Sequence, residues 1–211
     1  MKNTYAKNIS SAWCLLLEAG VDTFPVPVKR VAECLDIPVL LYSQGEDILH
    51  DLGLYDAAMY SDGITIPLDG GHLVMYDDSI RTPRARVAIG HELGHIMMGH
   101  SQPGMATGDN HPPRPGDRPL EFAANLWCEQ LIAPTGVLLA AGITTREAIE
   151  RVCRVNRRAS DFILARLAER PGYTPQSPDE IEVVADLCGH SKSEPGTFLT
   201  RVLASSSSSV S

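Results

Sequence analysis

Two histidines four residues apart, His91 and His95, bracket Glu92 in the stretch Arg84-Ala-Arg-Val-Ala-Ile-Gly-His-Glu-Leu-Gly-His that runs on to His100. Positions four apart share one face of a helix, so a helix here aims both imidazoles at one point, with Glu92 beside them. That is the ligand logic of a metal centre whose glutamate reaches a water at the same ion. The plainer alternative is an amphipathic core helix with two surface histidines. Gly90 and Gly94 raise the metal reading above it, because each costs a helix about 1 kcal/mol relative to alanine and so suggests a bare face where another backbone packs closely.

Two histidines leave a tetrahedral site short of one protein ligand if a position is to stay open. The best donor is Glu121, in Glu121-Phe-Ala-Ala-Asn125, with Asn125 one turn further on the same face as a second residue near the ion. His100 is the rival, but five residues past His95 it points about 140° away from the ligand face of a continuous helix. Cys128 lies two turns from Glu121, about 10 Å along the axis, and reads as a small buried hydrophobe.

The order of elements predicts an α+β fold. Apolar spacing gives helices over Ile9 to Ala19, closed by Gly20, and over Val28 to Leu35, followed by a buried strand from Ile37 to Tyr42. Ala57 to Tyr60, Gly63 to Leu68 and His72 to Tyr76 read as short segments of a small, mainly antiparallel sheet, separated by Ser61-Asp62-Gly63 and Asp69-Gly70-Gly71 turn chemistry. Thr82 as N-cap and Pro83 in the first turn open the histidine helix, which is expected to end near Gly99. Residues 101–119 carry five prolines and three glycines and predict a long irregular loop near the open side of the site, a candidate gate for substrate. Asp117 and Pro119 then start the helix of Glu121, which stops near Pro134. A helical stretch from Thr144 to Ala168 breaks at Val155-Asn156-Arg157, a helix is expected from Pro178 to Leu187, and the closing serine run predicts disorder. These readings divide the chain into residues 1–140, a helical segment 141–170 and an extension 171–211.

Composition narrows the setting. At 44% hydrophobic and 21% charged residues the chain reads as an ordinary globular protein, and the N-terminal apolar run from Trp13 to Leu17 is closed by Glu18, so neither leader nor membrane span is expected. Five cysteines, widely spaced and odd in number, argue for a reducing compartment, with the cytoplasm as default. A net charge of −8 disfavours generic nucleic-acid binding and sets no oligomeric state.

The motifs together resemble the ImmA/IrrE family of zinc-dependent metallopeptidases, over about Ile9 to Leu167. The family's Arg-x-Arg-Phe-Thr-x-Ala lead into His-Glu-x-Gly-His is matched by Arg84 to His95. Its Glu-x-x-Ala-Asn-x-Phe-Ala is matched by Glu121 to Cys128, and its hydrophobic run closed by Met-Pro by Leu131 to Pro134. Departures fall at Val87, Ala88, Gly90, Trp127 and Ala133, all packing positions. The resemblance implies a zincin-like peptidase domain with zinc on His91, His95 and Glu121, Glu92 as catalytic base and a helix-turn-helix repressor as protein substrate, whose cleavage relieves repression. Tyr60, Tyr76, His100 and His111 are candidate donors to the transition-state oxyanion. His50, His72 and His190 lack partner spacing and read as surface or structural histidines, the reading His111 otherwise takes too.

Thr144 to Ala168 also carries Arg146, Arg151, Arg154, Arg157, Arg158 and Arg166, in a layout like the helix-turn-helix segment that often follows the peptidase part in that family. A DNA reader is one reading of it. The favoured one is that Ile149, Val152, Cys153, Phe162, Ile163 and Leu167 dock two helices on the core with solvated arginines outside. The rival to a peptidase is therefore a non-catalytic zinc-binding regulator acting through DNA or a protein partner.

Overall fold

The computed structural model describes residues 11–100, 107–108 and 118–169. Within them the chain is mixed α+β and mostly helical. A first helix, α1, covers residues 11–18 and buries Ala12, Trp13, Leu15 and Leu16. Its stop is the expected one: Gly20 takes φ +57° while Val21 N–H donates to the Leu16 carbonyl at 2.9 Å. Helix α2 (Val28–Cys34) leads to β1 (Val39–Leu41), whose residues are half-buried where full burial was expected. A 3-10 turn (Tyr42–Gln44) and two short helices, α3 (Glu46–Asp51) and α4 (Tyr55–Ala58), follow. Helix α4 replaces the strand expected at Ala57 to Tyr60. Met59 and Tyr60 are exposed, while the adjacent Ala57 and Ala58 both pack on the small core, so the segment lacks the alternating inward row of a strand, and alanine favours the helix.

Strands β2 (Gly63–Leu68) and β3 (Gly71–Tyr76) form the expected antiparallel hairpin, with Gly70 at φ +86° in the turn. β1 lies parallel on the other edge of β3, and a two-residue strand β4 (Thr107–Gly108) pairs antiparallel with β2, giving the order β1-β3-β2-β4. β4 corrects the expectation that 101–119 is irregular throughout; the rest of the stretch, with Asp117, lies outside the described residues up to Arg118. Strand alternation divides the sheet's two faces. Ile64, Ile66, Leu73 and Met75 enter a small cluster with Leu49 and Ala58, whereas Val74 joins the main core and Thr65 faces helix α5.

Helix α5 (Thr82–Met97) carries the two histidines and lies against β2 and β3. Arg81, not Thr82, is its N-cap residue, and no side chain caps it; Pro83 falls in the first turn as expected. The helix ends at Met97, two residues early, and Gly99 takes φ +69°. Helix α6 (Arg118–Ile132) has Pro119 in its first turn and runs beside α5. Buried polar bonds tie it down: Trp13 Nε1 donates to Gln130 Oε1 at 3.3 Å, Gln130 Nε2 to Thr135 Oγ1 at 2.7 Å, and Trp127 Nε1 to Ser11 Oγ at 2.9 Å.

After α7 (Thr135–Ala140), the helical stretch breaks where expected into α8 (Arg146–Cys153) and α9 (Arg157–Ala168). Thr145 and Asn156 cap them by accepting from Ala148 and Ala159 N–H, and Arg154 between them takes a left-handed φ of 49°. Ile149, Val152, Cys153, Ile163 and Leu167 share one core with Trp13, Leu93, Trp127 and Leu131, and Arg86 Nη2 of α5 donates to the Cys153 carbonyl at 3.3 Å. Phe162 is the exception to the expected docking face: it is 62% exposed. Among the described residues, Cys14, Cys34, Cys128 and Cys153 form no disulfide. Among the described residues no helix is long and apolar enough to cross a membrane. Cys188, His190, the helix expected at Pro178 to Leu187 and the serine run fall outside the described residues.

Candidate metal centre

Glycine spacing on α5 decides how close α6 can come. A Cβ built on Gly94 would stand 2.7 Å from the Ala124 carbonyl oxygen and 3.1 Å from its Cα, so the two backbones touch only because position 94 has no side chain. Gly90, one turn earlier, meets a side chain instead, the Cys128 Sγ at 2.9 Å. This contact sets Glu121, one turn before Ala124, opposite the two histidines.

There the inner nitrogens converge. His91 Nε2 and His95 Nε2 lie 2.9 Å apart, with Glu121 Oε2 3.1 Å from the first and Oε1 3.3 Å from the second. Both imidazoles are buried, while the Glu121 side chain is 31% exposed and opens the cluster to solvent on its side. Burial alone would raise the Glu121 carboxyl, but its bonds to His91 and His95 hold it down at about 2. Ligands about 2.0–2.2 Å from one tetrahedral ion stand about 3.3–3.6 Å from each other; the separations of 2.9, 3.1 and 3.3 Å are at or just below that, so an ion would spread the three side chains slightly. The three residues form a buried cluster that can hold a metal ion.

The outer nitrogens are held as well. His91 Nδ1 lies 3.1 Å from Asn125 Oδ1; that oxygen can only accept, so Nδ1 carries a proton, and Nε2 is the nitrogen that would give its lone pair to an ion in place of its bond to Glu121. His95 Nδ1 lies 3.1 Å from His100 Nδ1. His100 gets there because α5 has ended, the chain turning so that His100 N–H donates to the His95 carbonyl at 2.9 Å. It stands behind His95 and takes no place among the inner ligand atoms, which leaves Glu121 as the third member. Burial, then His95, lower the His100 pKa and favour its neutral form.

Glu92 is buried and turns toward the sheet, where its Oε2 accepts from Thr65 Oγ1 at 2.7 Å. A Cβ on Gly63 would come 3.1 Å from the Glu92 Cγ, so Gly63 makes the room. Neither Thr65 nor Gly63 was singled out from the sequence. The available signal was a polar residue alone between Ile64 and Ile66, facing the opposite side of the strand from both. Tyr42 is a third residue that sequence reasoning passed over: burial, then the charge of Glu92, push its hydroxyl up, and that hydroxyl donates to the Ser61 carbonyl at 3.2 Å.

Of the oxyanion candidates among the described residues, only His100 is brought to the cluster. Tyr60 is 73% exposed, the Tyr76 hydroxyl accepts from Lys29 Nζ at 2.9 Å, and His111 lies outside the described residues. Cys128 stays a buried hydrophobe beside Gly90, its thiol 3.5 Å from the Val87 carbonyl. His50 stacks on Tyr55 at 4.2 Å and stands 3.9 Å from Glu46, a surface role, and His72 lies half-buried on β3. No family model matches the chain, and no curated protein matches it either.

Proposed function

We propose that this chain is a zinc metalloendopeptidase of the ImmA/IrrE type, acting in the cytoplasm, whose substrate is a helix-turn-helix transcriptional repressor. One observation carries the reading: two imidazole nitrogens and a carboxylate converge on one point, and Glu92, the residue after His91 on the same helix, keeps a second carboxylate buried and held by its own hydrogen bond. A structural metal site has no use for that second carboxylate. Two nitrogens and one oxygen also form a donor set that zinc accepts in hydrolytic sites. A zinc ion held there supplies Lewis-acid activation of water and of a peptide carbonyl.

The chain's own residues do the rest. Asn125 and His100 occupy the outer nitrogens of His91 and His95 and so direct the inner ones to the ion. Thr65 holds the Glu92 carboxylate, which takes a proton from the attacking water and returns it to the leaving amine. The repressor as substrate rests on the resemblance of the two motifs.

Incubating the zinc-loaded protein with a small helix-turn-helix repressor encoded beside it, and following cleavage by mass spectrometry, tests the reading. Cleavage that disappears in Glu92→Gln while zinc is retained supports it. A Glu92→Gln protein that still cuts removes Glu92 from the mechanism, and an unsubstituted protein that binds zinc without cutting sinks the peptidase reading.

A further inference from the structure

A cavity of about 470 Å³ lies between α5, α6 and α9 and reaches Asn125, the outer partner of His91. Its floor is apolar, built from Val87, Ala88, Leu126, Ile132 and Ile163, and the volume lies in the roughly 300–1,000 Å³ range of ligand pockets. Phe122 and Phe162 stand at its rim, 59% and 62% exposed. Asn125 joins it to the metal cluster, lining the cavity while bonding His91. Asp62, on the same wall, directly precedes Gly63, which packs on Glu92.

Charge around the rim is uneven. Arg84 and Asp62 bond each other, with Nη2 to Oδ1 at 2.8 Å, and Arg166 Nε stands 3.5 Å from Glu129 Oε1. Both acids of the lining are thus matched by arginines. Arg158, exposed on α9, has no ion-pair partner among the described residues and leaves the rim with a surplus cation.

We infer that this cavity is the substrate-recognition site of the peptidase, taking a large apolar side chain, aromatic or aliphatic, that lies beside an acidic residue in the substrate protein, with Arg158 meeting the acid. The inference rests on the peptidase reading for its setting, since the cavity meets the proposed ligand residues at Asn125. Its own support is the apolar floor, the exposed aromatic rim and the charge surplus. It gives α9 a role in choosing a protein substrate, distinct from reading DNA.

The test uses the full-length Glu92→Gln protein loaded with zinc and three fluorescein-labelled peptides of glycine and serine with a central Phe-Glu, Ala-Glu or Phe-Lys pair. Fluorescence anisotropy is expected to show the Phe-Glu peptide binding about tenfold or more tightly than Ala-Glu, on the order of what burying one large apolar side chain contributes. Ala159→Trp, which fills the cavity from α9, is expected to abolish that difference without changing zinc content. Arg158→Glu, an exposed change that folding tolerates, is expected to reverse the preference between Phe-Glu and Phe-Lys.

Equal binding of the three peptides, or Phe-Glu binding indifferent to both substitutions, overturns the inference. So does absence of binding by any peptide, the result expected if residues 170–211 of the chain itself fill the cavity. Cleavage of the same peptides by the unsubstituted protein is read separately. Selective binding without cleavage defeats the peptidase reading and leaves the recognition site standing, whereas cleavage without selectivity does the reverse.

Discussion

Gly94 and Ala124 meet backbone to backbone, and that contact brings Glu121 within ligand distance of two histidines on another helix. Gly94→Ala drives a methyl group into the Ala124 carbonyl, so α6 must move away. The expected loss is about 1–3 kcal/mol of stability, the range for overpacking a close contact, together with weakened zinc binding. Gly90→Ala meets the Cys128 thiol, a side chain that can turn, and is expected to cost less. Denaturant midpoints and zinc titration of both variants check this; equal effects at the two positions contradict it.

Asn125 and His100 contact the outer nitrogens of the two histidines and no inner ligand atom of the cluster. Asn125→Ala and His100→Ala are each expected to weaken zinc affinity about 10- to 100-fold, the usual cost of losing an outer partner of a metal ligand. Competition with a chromogenic chelator measures it. Unchanged affinity in both variants would mean that the imidazoles are oriented by packing alone.

Under the proposed mechanism Thr65 acts through Glu92, whose carboxylate it holds. Thr65→Val keeps the shape of the strand and removes the hydroxyl, and is expected to lower kcat by between about 10- and 100-fold, as misplacing a reacting group does. Zinc content is expected to stay the same, and Thr65→Ser to restore most of the rate. A valine variant as fast as the unsubstituted protein, or a serine variant as slow as valine, rules out a positioning role.

Burial, set against the pull of Arg166, pushes the Glu129 carboxyl up from 4.5 to about 7. Between those values the folded chain keeps a proton that the unfolded chain has released, so stability falls as pH rises through the window. Glu129→Gln is expected to flatten that fall by up to about 3 kcal/mol. Urea denaturation across and on both sides of the window reads it, and an equally steep dependence in the variant contradicts the assignment.

What could be read from the sequence was what depends on neighbours along the chain. The shared face of His91 and His95, the stop at Gly20, the Asp69-Gly70 turn and the break before Asn156 are all set within one or two turns of chain. Gly94 announced a close approach because its cost to the helix needed an explanation, although the sequence did not say that Ala124 would be the neighbour. Thr65 was missed because its bond to Glu92 spans 27 positions and depends on sheet register. Ala57 to Tyr60 was misread as strand because four residues are too few for either periodicity to show. His100 was placed by extending α5 past its end, and once the helix stops at Met97 the geometry of a continuous helix no longer applies.

Whether His91, His95 and Glu121 hold one zinc ion, as proposed, is read by X-ray absorption at the zinc edge on protein loaded with one equivalent of zinc. The expected spectrum shows a shell of nitrogen and oxygen donors with the multiple-scattering signature of two imidazoles, altered in Glu121→Gln and unaltered in Cys128→Ala. A sulfur donor in the shell, or a spectrum indifferent to Glu121→Gln, would contradict it.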